Sequence, residues 1–298
     1  MLITVFTPTY NRAYLLPRLY KSLKLQTCQD FEWIIVDDGS TDDTEEVVQE
    51  WLQPEGGENI LNPLDGIRGS MRYIKQPNGG KHRAINRGVQ EARGELFFIV
   101  DSDDSLPIES IATIIKYYSQ VKDDNSYGGV CGYMANHDGT SIYSGYKQEI
   151  LDCTSLELRY KYHIKGDMAE VFRTDVLKEI PFPEIDEERF CPEALVWNRI
   201  AQKYKLRVFN SVIYYRDYLP GGLTDKIVAI RMNSPIASVT HYKELNSYNV
   251  PIKQKIKAAI NYWRFHVCVK KGDSVPNLPW YWSWCRPLGL IMHMRDIK

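Results

Sequence analysis

Three carboxylates crowd the end of a short apolar run, where Leu96 to Val100 leads into Asp101, Ser102, Asp103 and Asp104. Carboxylates this close repel one another, and a divalent cation bound between them would relieve the repulsion. Mg2+ and Mn2+ prefer hard oxygen donors and keep positions open for substrate phosphates. An acidic turn capping a helix that Pro107 opens at its favoured first position reads the same four residues equally well. An EF-hand does not: counted from Asp101, its sixth position is Leu106 where Gly is needed and its twelfth is Ala112 where Glu is needed.

Other polar clusters follow the same pattern of apolar run, then polar turn. Asp37, Asp38, Gly39 and Ser40 follow Phe31–Val36, and their carboxylates could accept hydrogen bonds from a base or ribose. An Asp-Gly turn with a helix cap is the plain alternative. Thr7 to Arg12 (TPTYNR) follow Leu2–Phe6. Backbone N–H groups near a helix start there could hold a pyrophosphate, with Tyr10 stacked on a base, or Asn11 could simply cap the helix. Lys81 and Arg83 open a helix after Gly79-Gly80 and would balance phosphate charge, as any solvated cations could. Glu193, after Pro192, stands in the first turn of a helix carrying Leu195 and Ile200. There the dipole favours an acid in any protein, and a general base facing an acceptor would need one.

The elements that must position these groups alternate. Strands at 2–6, 31–36, 71–75 and 96–100 are each followed by a helical pattern, with Gly94 closing the helix Lys81–Arg93 as its C′ residue. Four such alternations predict a mostly parallel, Rossmann-like sheet, whose ligands bind beyond the carboxyl ends of the strands. Three of the four strand ends carry the polar clusters, so one site would be assembled from three loops. Residues 54–70, rich in Gly, Pro and Asn, read as a loop. The second half is less regular, with strands at Val171-Phe172 and Val208–Tyr215 and a helix over Pro192–Tyr204. Tyr218–Thr224 reads as a Gly-hinged loop that could close over a ligand, or as a plain surface loop. Beyond about residue 225 the pattern is helical and ends in Trp280–Trp284.

The 298 residues are 44% hydrophobic and 25% charged, ordinary globular usage that excludes disorder and low complexity. Thirty-seven Lys and Arg balance 38 Asp and Glu, a net charge of −1 that gives no general attraction for nucleic acid. Six cysteines without a C-x-x-C pair read as reduced thiols in a cytosolic protein. Residues 1–10 lack the basic region of a signal peptide, and no run approaches the about 20 apolar residues of a membrane span. The tail Lys253–Lys298 mixes Lys and Arg with Trp263, Trp280, Trp282, Trp284 and Leu290–Met292. That composition suits an interfacial membrane anchor, while aromatics packing on the rest of the protein explain it as well. His163 and His241 could make extra metal or acceptor contacts, but a lone His is more often structural.

Taken together, VFTPTYNR at 5–12, Gln26-Thr27, FEWIIVDDGSTD at 31–42, NGGKHRAIN at 78–86, ARG at 92–94 and DSDD at 101–104 resemble family 2 glycosyltransferases of the GT-A fold. Order and spacing agree over residues 1–110. AEVFRT at 169–174 and PEALVWNR at 192–199 continue the match more loosely. The resemblance implies an α/β GT-A fold. A Rossmann-like, mostly parallel nucleotide-binding sheet (1–110) would be fused to a mixed acceptor-side half (111–225), with a helical C-terminal extension at 226–298.

The resemblance further implies an inverting transfer of a sugar from a nucleotide-sugar, a UDP-sugar in the usual case, to a hydroxyl of a glycan or lipid-linked glycan. The setting would be bacterial surface-polysaccharide or capsule assembly, cytoplasmic, with or without peripheral contact at the inner face of the membrane. Thr7, Pro8, Thr9, Tyr10, Arg12, Asp38, Lys81, Ser102 and Asp103 would surround the nucleotide-sugar, with Asp38 on the base. Asp103, with Asp101 or Asp104, would hold Mg2+ or Mn2+ on the diphosphate. The family often has Glu-Asp where this chain has Pro192-Glu193, so the base role passes to Glu193. Two alternatives stand beside this. An apolar strand followed by D-x-D-x-[TV] also resembles haloacid-dehalogenase-like phosphohydrolases, nearly matched by Asp101, Asp103 and Ser105, although those enzymes carry the motif on their first strand. A glycosyltransferase fold that only binds a nucleotide-sugar or glycan is the other.

Overall fold

A computed structural model describes residues 2–52, 71–140, 142, 148–216 and 223–297. The 54–70 stretch and residues 218–222 of the Tyr218–Thr224 loop lie outside the described residues. In chain order the elements are β1 (Ile3–Thr9), α1 (Leu16–Lys24), β2 (Phe31–Asp37), α2 (Thr44–Leu52), β3 (Met71–Lys75), α3 (Lys81–Glu91), β4 (Leu96–Ile99) and α4 (Ser110–Tyr118). There follow β5 (Tyr127–Ala135), β6 (Ile150–Cys153), α5 (Ser155–Tyr160), β7 (Met168–Arg173), α6 (Thr174–Glu179), α7 (Glu193–Ile200) and β8 (Lys205–Tyr215). Helices α8 (Leu223–Met232), α9 (Pro235–Ser247) and α10 (Ile252–His266), a 3-10 segment (Trp280–Cys285) and α11 (Arg286–Asp296) complete the chain.

The chain forms two compact units, Met1–Pro181 with Ile200–Asp217, and Phe182–Arg199 with Tyr218–Lys298. The segment carrying Glu193, which the sequence groups with an acceptor half ending at 225, therefore clusters with the C-terminal helices.

The first unit holds an eight-stranded sheet in the order β3-β2-β1-β4-β7-β5-β8-β6. Strands β1 to β4 pair in parallel, as their alternation with helices requires, and β7 joins β4 antiparallel, so the far half is mixed. β1 and β2 are buried along their whole length, which is why they read as unbroken apolar runs. Leu16, Leu19 and Leu23 line one face of α1 and pack into the core with Trp33, Phe98 and Ile114. Each contributes roughly 1.5–3 kcal/mol by leaving water. Glu32 is fully buried in this half and accepts from Thr4 at 2.6 Å, Arg72 at 2.8 Å and the Arg93 amide at 2.6 Å.

Several boundaries differ from the sequence expectation for physical reasons. β1 runs on through Thr7-Pro8-Thr9, because an extended Thr-Pro-Thr continues the register with β2 up to Thr9 opposite Asp37. α1 begins at Leu16 and Asn11 does not cap it; Asn11 adopts φ 53°, a left-handed position that Asn tolerates. α3 ends at Glu91, and Gly94 is not its C′ cap. A Cβ at Gly94 would lie 2.4 Å from the Thr4 amide nitrogen, so glycine is there to let the chain enter β4 against β1. Pro107 lies three residues ahead of α4, in a turn closed by Ser110 donating to the Pro107 carbonyl. β5 and β6 were not anticipated.

In the second unit Val239, Ala259, Tyr262, Phe265, Leu278, Trp282 and Cys285 form a separate core. All six cysteines are free thiols. Among the described residues no helix is long and apolar enough to cross a membrane.

Candidate active site

At the carboxyl end of β1, Thr7 is fully buried and its hydroxyl accepts the indole N–H of Trp33 at 2.9 Å. Thr7 and Pro8 thus belong to the strand wall. Thr9 is 3% exposed and its Oγ1 has no partner, while its carbonyl accepts the Asp38 amide at 2.9 Å. The amides that follow are already used: Asn11 donates to Ser40 Oγ at 2.8 Å, Arg12 to Thr44 Oγ1 at 3.4 Å and Ala13 to Asp42 at 3.0 Å. Those three amides therefore tie the β1 loop to the β2 loop, and the groups this loop offers outward are the side chains of Tyr10, 48% exposed, and Arg12.

At the end of β2 the two aspartates divide their work. Asp37 accepts the Ser40 amide and the Tyr73 hydroxyl, closing the turn. Burial, then the Asp37 carboxylate, holds the Tyr73 phenol well above its ordinary value. Asp38 is buried and its carboxylate accepts four bonds, from Gln76 Nε2 at 2.8 Å, Asn78 Nδ2 at 3.2 Å, the Gly79 amide at 2.9 Å and the Gly80 amide at 2.7 Å. A carboxylate has about four acceptor positions, so Asp38 is saturated. It fixes the loop 76–80, which delivers Lys81 at the first position of α3.

Beyond β4 the acidic turn meets two cations, Arg12 from the β1 loop and Lys81 from the start of α3. Lys81 Nζ lies 2.7 Å from Asp101, and Arg12 lies 2.9 Å from Asp103. Arg18 of α1 donates to the Asp103 carbonyl. Ser102 is buried between them in sequence. Asp104 differs from its neighbours: it is 6% exposed and accepts the Tyr214 hydroxyl at 2.6 Å, and that hydroxyl in turn accepts the Asp101 amide at 2.9 Å. Burial and then the Asp101 charge push the Asp104 carboxyl up to about 8. Ser105 exchanges two backbone bonds with Tyr215 and its hydroxyl lies 2.8 Å from His137 Nε2.

The donor set bears on a divalent metal. Among the described residues no three of His, Cys, Asp and Glu form a ready-made cage. Mg2+ is commonly held by one or two carboxylates plus substrate phosphates, and the donors here fit that pattern. Asp101 and Asp103 are hard oxygen donors, 38% and 27% exposed, each balanced by a cation that phosphate oxygens could draw away.

The first unit therefore brings together Tyr10 and Arg12 after β1, Asp38 after β2, Lys81 after β3, and Asp101, Ser102, Asp103 and Asp104 after β4, four strand ends in all, with Thr7, Pro8 and Thr9 behind them in β1. Glu193 stands in the second unit, half-buried in the first turn of α7. On the same helix Arg199 makes a two-bond ion pair with Glu244, at 2.9 and 2.7 Å. Sequence reading missed Tyr214, Gln76 and Arg18. Tyr214 sits inside an apolar strand and Arg18 among solvated cations, so neither gives a local signal; Gln76 could be found from its place just ahead of Asn78-Gly79-Gly80.

Comparison with known proteins identifies the family and the fold. The profile "Glycosyl transferase family 2" matches residues 4–179. The chain is 27% identical over 228 residues to the GalNAc(5)-diNAcBac-PP-undecaprenol beta-1,3-glucosyltransferase of Campylobacter jejuni, covering 74% of this chain and 67% of that one. Matches to other curated relatives cover between 14% and 46% of those proteins' length. S. aureus TarS residues 1–349, solved with UDP-GlcNAc, superposes with a TM-score of 0.60 at 18% identity, over 100% of this chain and 88% of that one. The mannosyltransferase PcManGT of Pyrobaculum calidifontis, solved with GDP-Man and Mn2+, gives 0.55 at 18% identity, over 99% and 74%. The matched profile spans the loops that carry Arg12, Lys81, Asp101 and Asp103, and the mostly parallel sheet superposes on these neighbours of the GT-A fold. The chain is a glycosyltransferase and belongs to glycosyl transferase family 2.

Proposed function

We propose that the protein transfers a sugar, with inversion, from a UDP-sugar to a hydroxyl of a glycan or lipid-linked glycan, in bacterial surface-polysaccharide assembly. The observation that carries the donor half is the pair of ion pairs at one end of the sheet, Arg12–Asp103 and Lys81–Asp101. A diphosphate needs both kinds of charge: cations for its oxygens, and carboxylates for the metal that accompanies it. The TarS complex with UDP-GlcNAc supports UDP as the carrier, and the name of the Campylobacter relative supports a lipid-linked acceptor.

Asp103 and Asp101 would hold Mg2+ or Mn2+, and the Mn2+ complex of PcManGT supports that choice of ion. When bound, the ion supplies electrostatic stabilisation of the charge that gathers on the departing diphosphate. Asp104, bonded to Tyr214, positions the turn. Arg12 and Lys81 would bind the phosphates, and Tyr10 would lie on the base. Asp38 would hold the loop 76–80 in place, and touches the base only if one of its four present donors gives way. Glu193 is the proposed general base that removes the acceptor proton.

The test is calorimetric titration of UDP, GDP and CDP into the protein with Mn2+ present. UDP is expected to bind at least about tenfold tighter than the other two, a difference of about 1.4 kcal/mol. Tighter binding of GDP or CDP would overturn the UDP assignment.

A further inference from the structure

The 3-10 segment Trp280–Cys285 and helix α11 run on from one another and present two faces of different character. The inner face is fixed to α10. Trp282, Cys285 and Gly289 are buried, and a Cβ at Gly289 would meet the Trp263 side chain at 2.6 Å and the Ile260 carbonyl at 2.7 Å. Arg264 grips Asp296 with two bonds, at 2.5 and 2.6 Å, and the Arg286 guanidinium lies 5.3 Å from the Trp263 ring centre. These contacts leave α11 no freedom to roll its other face inward.

That other face is apolar. Trp280 is 84% exposed, and Tyr281, Trp284, Leu288, Ile291 and Met294 are each exposed by 45–56%. From Trp284 the spacing is four, three and three residues, a single stripe along the helix. A surface helix normally turns polar residues outward, and one that is apolar all round has a second apolar or interfacial neighbour.

Charge says which neighbour. Residues 251–298 contain nine Lys and Arg against two Asp and Glu, a net +7, while residues 1–250 carry −8. Arg286 and Arg295 lie on α11 itself, and Lys270 and Lys271 in the loop before it. A self-contact through this face would set like charges against each other, whereas an anionic surface would attract them. Exposed Trp and Tyr beside Lys and Arg also suit the headgroup layer, where amphipathic rings and long cations both keep their polar ends wet.

We infer that the face of Trp280, Trp284, Leu288, Ile291 and Met294 docks the protein on an anionic lipid bilayer, lying in the headgroup region without crossing it. The docking needs neither donor nor acceptor, so it stands or falls separately from the proposed transfer reaction.

The experiment is co-sedimentation of the full chain with phosphatidylglycerol vesicles and with phosphatidylcholine vesicles, no nucleotide or glycan being present. Wild type is expected to pellet with the anionic vesicles, less as salt is raised, and the triple variant W280S/W284S/I291S to bind roughly tenfold or more weakly. All three side chains lie on the exposed face, so far-UV circular dichroism of the variant should match wild type. Should the variant fail to fold, the unmodified chain still gives a result: its tryptophan emission must shift to the blue on the anionic vesicles and be quenched by brominated phosphatidylglycerol. Absence of vesicle binding, binding that the folded triple variant retains in full, or emission unchanged by vesicles would each overturn the inference. So would a dimer in sedimentation velocity that the triple variant abolishes in a protein that ignores vesicles, since a second copy would then cover the face.

Discussion

The Tyr214 hydroxyl joins both ends of the acidic turn, donating to Asp104 at 2.6 Å and accepting the Asp101 amide at 2.9 Å. Tyr214 comes from β8, three places from β4 in the sheet, and packs edge-on to Phe98 with ring centres 6.0 Å apart. One phenol thus sets the height of Asp101 and holds Asp104 down, leaving Asp101 and Asp103 paired with Lys81 and Arg12. Tyr214→Phe removes both bonds and leaves a buried carboxyl and an amide without their partner, a loss of about 1–3 kcal/mol. Thermal unfolding should show it, and the Mn2+ concentration for half-maximal transfer should rise in parallel. An unchanged Mn2+ requirement would remove Tyr214 from the site.

Asp38 offers a cleaner separation of two roles. Asp38→Asn turns an acceptor into a donor that faces the Gly79 or Gly80 amide, so loss of about 2 kcal/mol or more of stability is expected, together with weaker UDP binding. A residue acting only by touching the base would lose affinity at unchanged stability. Urea unfolding and UDP titration on the same sample distinguish them.

Much of this was legible in the residues. β1, β2 and β4 are continuous apolar runs, and the polar clusters after them identified the loops, because a parallel sheet leaves its strand ends as the place for polar residues. β5 was not legible, since the glycines of YGGVCGYMA look like a turn until the crowding of β7 and Ile213 around them is seen. The division of labour among Asp101, Asp103 and Asp104 was equally hidden: it depends on Tyr214, 110 residues from its partner. So was the saturation of Asp38, which only the path of the 76–80 loop reveals.

His241 in the second unit gives a pH dependence with a definite sign. Burial, then the Arg231 charge, pulls its imidazole down to about 3, and its Nδ1 has no partner. The folded state therefore holds it neutral, while the unfolded chain protonates near 6.5. Its contribution is constant above about 6.5 and is lost as the pH falls from there toward 3, amounting to about 1.4 kcal/mol by pH 5.5. Unfolding at pH 7.5 and 5.5 should show this drop in wild type, and His241→Phe should lack it. An equal drop in both would assign it to other groups.

Glu193→Gln keeps the size of the side chain and removes its basicity. UDP affinity should be unchanged and transfer should fall by about 10²–10⁴-fold. Near-normal turnover would move the base to another residue and leave the donor site untouched.

Metal-dependent capture of a nucleoside diphosphate at Asp103 is the central claim, and calorimetric titration of UDP into wild type and Asp103→Ala, with and without Mn2+, tests it most directly. Wild type should bind tightly only with Mn2+, and Asp103→Ala should lose that metal enhancement. Without metal the variant should bind UDP no worse than wild type, because Arg12 has lost the carboxylate that competed for it. UDP binding that is the same with and without Mn2+, or Mn2+ enhancement that survives in Asp103→Ala, would contradict the account.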